Sequence, residues 1–171
     1  MSASVQVHVF HGATPVATDI RDTEARFKLS DDDAADLGHP VPIPSSGVGY
    51  SWRKSVKLYC VSGLGSQLGN LRYFVAAAPS DWAGTVSLLV GLKSTYTQAS
   101  AADEDGVAGL ANADLYTSSS PLTVSTNAAL ITSNASYGSG QDYLVSQVAI
   151  AAGSTPGVKT ARTASFRYDE V

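Results

Sequence analysis

The residue types that most often carry chemistry are sparse in this chain. Among 171 residues there are three histidines, His8, His11 and His39, and one cysteine, Cys60. A serine nucleophile needs a histidine base and an acid to orient it. No serine here lies in a Gly-x-Ser-x-Gly elbow. Gly63-Leu64-Gly65 resembles a dinucleotide fingerprint only superficially, because no phosphate-binding helix follows, and it reads as a hairpin turn. His8 and His11 fall on opposite faces of a strand, whereas zinc would need them to converge with a further ligand. Surface histidines are the default reading, and no metal or cofactor is expected.

Two acidic groups, Asp31-Asp32-Asp33 with Asp36 and Asp103-Glu104-Asp105, have the residue type for calcium. Neither follows the twelve-residue calcium loop with its sixth-position glycine. A solvated or helix-start cluster is the expectation for both. Paired carboxylates acting on a sugar would be a spatial arrangement, and no pair stands out. Aromatic rings remain as contact groups. Trp82, Tyr96, Tyr116 and Tyr137 are the candidates for a partner or carbohydrate contact, with Trp82 equally readable as a lid over the end of the fold. No catalytic residue is expected.

The elements that must position these side chains are strands. Val5, Val7 and Val9 alternate with Gln6 and His8, the period of a half-buried strand. Glu24 to Leu29 repeats the pattern, with Ala25, Phe27 and Leu29 on its apolar side. Ser30 then caps a single expected helical turn through the aspartates, and three alternate prolines, Pro40, Pro42 and Pro44, keep the next segment extended. Tyr50 to Val61 is the strongest strand, with Trp52, Val56, Leu58 and Cys60 sharing one parity. A turn at 63–67 and a strand from Leu68 to Ala77 make it one arm of an expected hairpin.

Thr85 to Lys93 directs Val86, Leu88, Val90 and Leu92 one way. Leu122 to Ser125 reads as a short strand, and Asp142 to Ala151 as one covered on both faces, with Val148 inside. Val158 to Tyr168 is the last. No stretch of ten residues has helical spacing. The reading is one all-β domain over 1–171, a two-layer β-sandwich or jelly roll of eight or nine strands, with long loops near 30–49, 94–120 and 127–141. Its expected core is Val7, Phe27, Trp52, Val56, Leu58, Cys60, Val86, Leu88, Val90 and Val148.

Composition narrows the function. Charged residues are 15% of the chain and the net charge is -4, with no basic run, so nucleic-acid binding is not expected. Nothing approaches the roughly 18 apolar residues of a membrane span. The N-terminus lacks the charge and apolar run of a secretory signal, so synthesis in a cytoplasm is expected. Small polar residues replace the missing charges, and such a surface is covered at little desolvation and side-chain entropy cost. Strands near both ends of the chain offer edges to a neighbour.

Ile43-Pro44 through Gly49-Tyr50-Ser51-Trp52-Arg53-Lys54, then Lys57-Leu58-Tyr59, Leu71-Arg72-Tyr73 and Phe166-Arg167-Tyr168-Asp169-Glu170-Val171 resemble small β-structured virion proteins of tailed bacteriophages. The resemblance covers somewhat under half the chain and includes no catalytic motif. It implies a head decoration, or cement, protein on the capsid exterior. The implied partners are the major capsid protein and copies of the chain itself, a trimer among the options. A carbohydrate-binding or adhesin module of a phage tail is the alternative from another class. A neck, head-completion or tail-tube component is a third, and an enzyme comes last.

Overall fold

A computed structural model describes residues 2–21, 25–34, 37–101 and 106–171. Its strands are β1 (Ser4–His11), β2 (Val16–Asp19), β3 (Val48–Tyr50), β4 (Lys54–Ser62), β5 (Leu68–Val75), β6 (Val86–Lys93), β7 (Ala111–Asn112), β8 (Leu122–Thr123), β9 (Ser136–Tyr137), β10 (Tyr143–Ala151) and β11 (Ala164–Glu170). There is no α-helix among the described residues; short 3-10 turns lie at Ser80–Trp82 and Ala113–Leu115. All pairings are antiparallel. An eight-stranded sheet runs β2-β1-β4-β10-β6-β7, with β3 on β10 and β9 on β4, and a three-stranded sheet runs β11-β5-β8. The two make a β-sandwich. The eleven strands exceed the expected eight or nine because β3, β7, β8 and β9 have only two or three residues each.

Alternation decides which side chains meet. Val5, Val7 and Val9 stand opposite Cys60, Leu58 and Val56, and β10 and β6 add Leu144 opposite Leu92 and Val148 opposite Leu88. These rows face β5, whose Leu68, Leu71, Tyr73 and Val75 close the core from the smaller sheet. Val56, Leu58, Cys60, Val86, Leu88, Val90 and Val148 are all buried. Val7 and Phe27 are partly buried and packed against that core.

Trp52 is placed differently from its expected core position. The run from Tyr50 to Val61 is broken at Ser51–Arg53, because buried Ser51 bonds across to β10. Its N–H donates to the Val148 carbonyl (2.9 Å), its Oγ accepts from Val148 N–H (3.0 Å), and its carbonyl accepts from buried Gln147 Nε2 (2.6 Å). The ladder of β4 resumes only at Lys54, and Trp52 is left half-buried outside the main core.

Four further expectations differ from the structure. β4 and β5 are not a hairpin: β4 pairs with β1, β10 and β9, and β5 with β11 and β8. The 63–67 turn therefore carries the chain between sheets. The run from Ala25 to Leu29 forms no strand, and the expected helical turn is absent from the described part of 30–37; Glu24 and Asp36 lie outside the described residues. The last strand begins at Ala164 rather than Val158.

One irregularity lets a single strand serve the core along its whole length. From Arg167 to Asp169 β11 advances two residues while β5 moves three, from Arg72 to Gly69. The extra residue belongs to β5, where Asn70 adopts a left-handed φ of 50°, a conformation asparagine tolerates better than most residues. The bulge reverses parity, so Leu68 faces inward together with Leu71, Tyr73 and Val75. Beside it, the 127–128 segment lies directly on Gly69; a Cβ there would come within 2.1 Å of the Ala128 carbonyl oxygen. Gly69→Ala should therefore destabilise the fold by about 1–3 kcal/mol, read as a lower urea midpoint with an unchanged slope.

Candidate contact surfaces

The outer face of the larger sheet carries the rows that the core rejects. Gln6, His8 and Phe10 of β1 stand beside Tyr59, Lys57 and Ser55 of β4. β9 brings Tyr137 opposite Tyr59, β10 begins with Tyr143, and the 94–101 loop adds Tyr96. The rings form one connected cluster. His8 stacks on Tyr59 with centroids 4.6 Å apart and planes 19° from parallel. Tyr137 meets His8, Tyr59 and Phe10 at 5.6, 4.9 and 5.5 Å. Phe10 stands edge-on to Tyr143 at 5.2 Å, and Tyr96 meets both at 6.3 and 5.9 Å. Lys57 Nζ lies 3.9 Å over the Tyr143 ring. Phe10 is buried at the centre and the others are half-buried.

Hydrogen bonds fix the tautomer of His8. Gln6 Oε1 can only accept, so His8 Nε2 carries the proton it donates (2.9 Å), and Nδ1 accepts from the Tyr137 hydroxyl (2.6 Å). Burial lowers the His8 pKa below its ordinary 6.5, against the pull of the Asp19 carboxylate. Burial also raises Tyr137, with Tyr59 and Tyr143 adding to it. It lowers Lys57, which Asp142 opposes. Tyr96 is pushed up to about 12 by burial and by Asp31, while its hydroxyl donates to the Gly12 carbonyl (3.0 Å).

Of the four aromatic candidates, Tyr96 and Tyr137 belong to this cluster. Trp82 does not: it is 6% exposed, and its Nε1 donates to the Thr160 carbonyl (2.9 Å) while Asp81 accepts from Thr160 N–H (2.8 Å). Trp82 is instead pinned under the 160 segment. Tyr116 packs half-buried against the core, its carbonyl accepting from Val75 N–H. His8, Phe10, Tyr59 and Tyr143 complete the cluster without having been singled out. Their parity was legible in the sequence, but the pairing that brings β1, β4, β9 and β10 side by side was not.

The described part of the first acidic group, Asp31–Asp33, is half-buried, starts no helix, and leaves the Asp32 side chain 44% exposed. Lys28 and Lys54 are 4% and 1% exposed, and both point into the Asp31–Ala34 segment. Lys28 Nζ pairs with Asp32 Oδ1 (2.6 Å) and donates to the Ala34 carbonyl (3.2 Å). Lys54 Nζ donates to the main-chain oxygen of Asp32. Asp31 accepts from Gly12 N–H and Asp33 from Arg26 N–H. Burial works against the charge on Asp32, but bonds from Lys28 and the Ala34 amide outweigh it and hold the carboxyl well below its usual range. Burial lowers Lys54, with Asp33, Asp31 and Asp32 opposing. Asp32 thus has its cation in Lys28, while Asp31 and Asp33 take main-chain amides. The second acidic group lies outside the described residues, and no cluster suited to a metal occurs among the described ones. Cys60 is a free, fully buried thiol whose pKa burial raises.

The smaller sheet offers a different surface, the free side of β11. The strand near the other end of the chain, β1, is not an edge of this kind. β2 covers His8–His11, the Val7 carbonyl accepts from Ile20 N–H (2.8 Å), and the Val5 carbonyl accepts from Arg21 Nη1 (3.0 Å).

No protein-family model matches the chain, and neither the curated proteins nor the solved structures contain a match. No helix among the described residues is long and apolar enough to cross a membrane.

Two outcomes follow from these environments. Lys54→Met removes the buried donor to the Asp32 carbonyl and a positive charge beside Asp31–Asp33, so it should cost about 1–3 kcal/mol, seen as a lower melting temperature. His8 resists protonation in the fold, whereas the unfolded chain takes up the proton near pH 6.5. Its contribution to stability is complete above that pH and is lost as pH falls toward the lowered folded value. Between about pH 8 and about pH 5, His8→Gln should lose less melting temperature than wild type; equal losses would remove His8 as the cause.

Proposed function

We propose that this chain is a virion structural protein of the head-decoration type, acting by surface contact and not by catalysis. The observation that carries the reading is the aromatic outer face of the larger sheet. Six rings and one lysine stand together on a half-exposed sheet. Tyrosine and histidine rings with polar tips are the side chains that protein interfaces favour, since they contribute apolar area while keeping a hydrogen bond. A shell multiplies such contacts over many copies, so each can be weak.

The segments that resemble phage virion proteins also meet in the fold. Leu71-Arg72-Tyr73 lies along Phe166-Arg167 in the β5–β11 ladder, with Phe166 and Tyr73 in edge-on ring contact at 5.5 Å. Lys57 and Tyr59 belong to the aromatic face itself. The carbohydrate alternative is less well supported, because a sugar stacks on an open ring face. Here His8 takes one face of Tyr59, Lys57 takes one of Tyr143, and Trp82 is covered.

The test is sedimentation of purified protein with heads of the virus that encodes it. Saturable binding that raises the temperature of head disruption is expected. Tyr59→Ser combined with Tyr137→Ser should weaken binding about tenfold or more while far-ultraviolet circular dichroism stays unchanged. Protein that ignores heads, or that binds a glycan array through the same tyrosines, would overturn the assignment.

A further inference from the structure

The outer side of β11 has the hydrogen-bonding and charge pattern of a strand that pairs with its own copy. Val171 and Gln67 exchange two backbone hydrogen bonds (3.0 and 3.1 Å), and Ala76 N–H donates to the Thr163 carbonyl (2.9 Å). Bonding direction alternates residue by residue in an antiparallel ladder. Ser165, Arg167 and Asp169 therefore bond toward β5, while Phe166, Tyr168 and Glu170 turn their N–H and C=O groups to the free side. No strand among the described residues takes that side. The bulge lies in β5, so β11 itself runs unbroken.

Charge then selects a partner and a register. On the solvent face Arg167 stands directly opposite Arg72, and no ion pair to either occurs among the described residues. Both guanidinium groups settle on carbonyls instead, Arg72 on Ser125 (2.8 Å) and Arg167 on Ser118 (3.3 Å). Like charges placed across a ladder repel, and a carboxylate opposite one of them relieves it. Asp169 lies two residues along on the same face and is exposed, accepting only from Asn70 Nδ2 (2.7 Å) among the described contacts.

We propose that β11 pairs antiparallel with β11 of a second copy, about a two-fold axis through Tyr168. In that register Tyr168 faces the partner's Tyr168, Phe166 faces the partner's Glu170, and Arg167 faces the partner's Asp169 in both directions. Sliding the strands by one pleat would put Arg167 against the partner's Arg167. The small sheet becomes a continuous six-stranded sheet across the dimer, and its exposed edge disappears. The pairing is independent of what the chain is attached to.

Sedimentation equilibrium of the full chain over micromolar concentrations tests the register. Wild type should be a dimer. Arg167→Asp and Asp169→Arg should each weaken it about tenfold or more, because each places like charges face to face. The variant carrying both exchanges should recover the wild-type constant, with circular dichroism confirming that all forms are folded. A wild-type monomer or trimer, single variants that dimerise as well as wild type, or a double variant that stays dissociated would each overturn the proposal. Failure to bind heads with the dimer intact would reject the decoration reading alone.

Discussion

Every feature of this molecule follows from the pleat of β4. Its side chains must leave alternately to two sides, and the two sides are different media. Val56, Leu58 and Cys60 enter a dry core, opposite Val9, Val7 and Val5. Lys57 and Tyr59 leave toward water. Slipping the strand by one position would exchange the two rows, burying a lysine and exposing a leucine. The hydrophobic contribution of one row therefore fixes where the other row stands, and the aromatic face is held in place by a core it does not touch. The neighbouring strands obey the same rule, so rings from β1, β9 and β10 arrive on the same side.

The larger sheet also has to secure a long connection between β2 and β3 whose described residues form no ladder of their own. Two buried lysines do this. Their ammonium groups, costly to desolvate when unpaired, lie among the carbonyls and carboxylates of the Asp31–Ala34 segment. That segment takes the Gly12 amide, and the Gly12 carbonyl takes the Tyr96 hydroxyl. The acidic loop, the β1–β2 turn and the rim of the aromatic face thus share one chain of hydrogen bonds. Three consecutive aspartates at a half-exposed rim double as counter-charge to two buried lysines.

Most of the all-β architecture was legible because it rests on period two alone. β1, β6 and β10 each carry an uninterrupted alternating or apolar row, and each lies within a few residues of its sequence reading. What was not legible is partnership across the chain. The 63–67 turn has the composition of a hairpin, and only the competition of β1 and β10 for β4 shows why β5 goes to the other sheet. The 24–29 run has strand periodicity, yet its described residues make only isolated backbone bonds, Lys28 accepting from Trp52 N–H and Leu29 donating to the His39 carbonyl. The break at Ser51–Arg53 depends on Gln147, almost a hundred residues away, whose amide finds the Ser51 carbonyl. Of the contact residues, Tyr96 and Tyr137 were visible as aromatics in loop-like sequence. His8 and Tyr59 looked like ordinary outer-face residues, and Tyr143 like part of a strand covered on both faces, until the strands were set side by side. Trp82 followed the same logic in reverse: a turn tryptophan looks exposed until Thr160 is seen to lie across it.

The left-handed asparagine in β5 has a consequence for how the small sheet is assembled. β5 and β11 are far apart in the chain, and strands paired across such a separation have many offsets open to them. With a uniform ladder, offsets differing by two residues would look alike to the backbone. Asn70 removes that degeneracy, because only one alignment places the surplus residue where it can swing outward and still return both Leu68 and Leu71 to the interior. It works like the keyed notch of a connector, admitting the final strand in a single orientation and position.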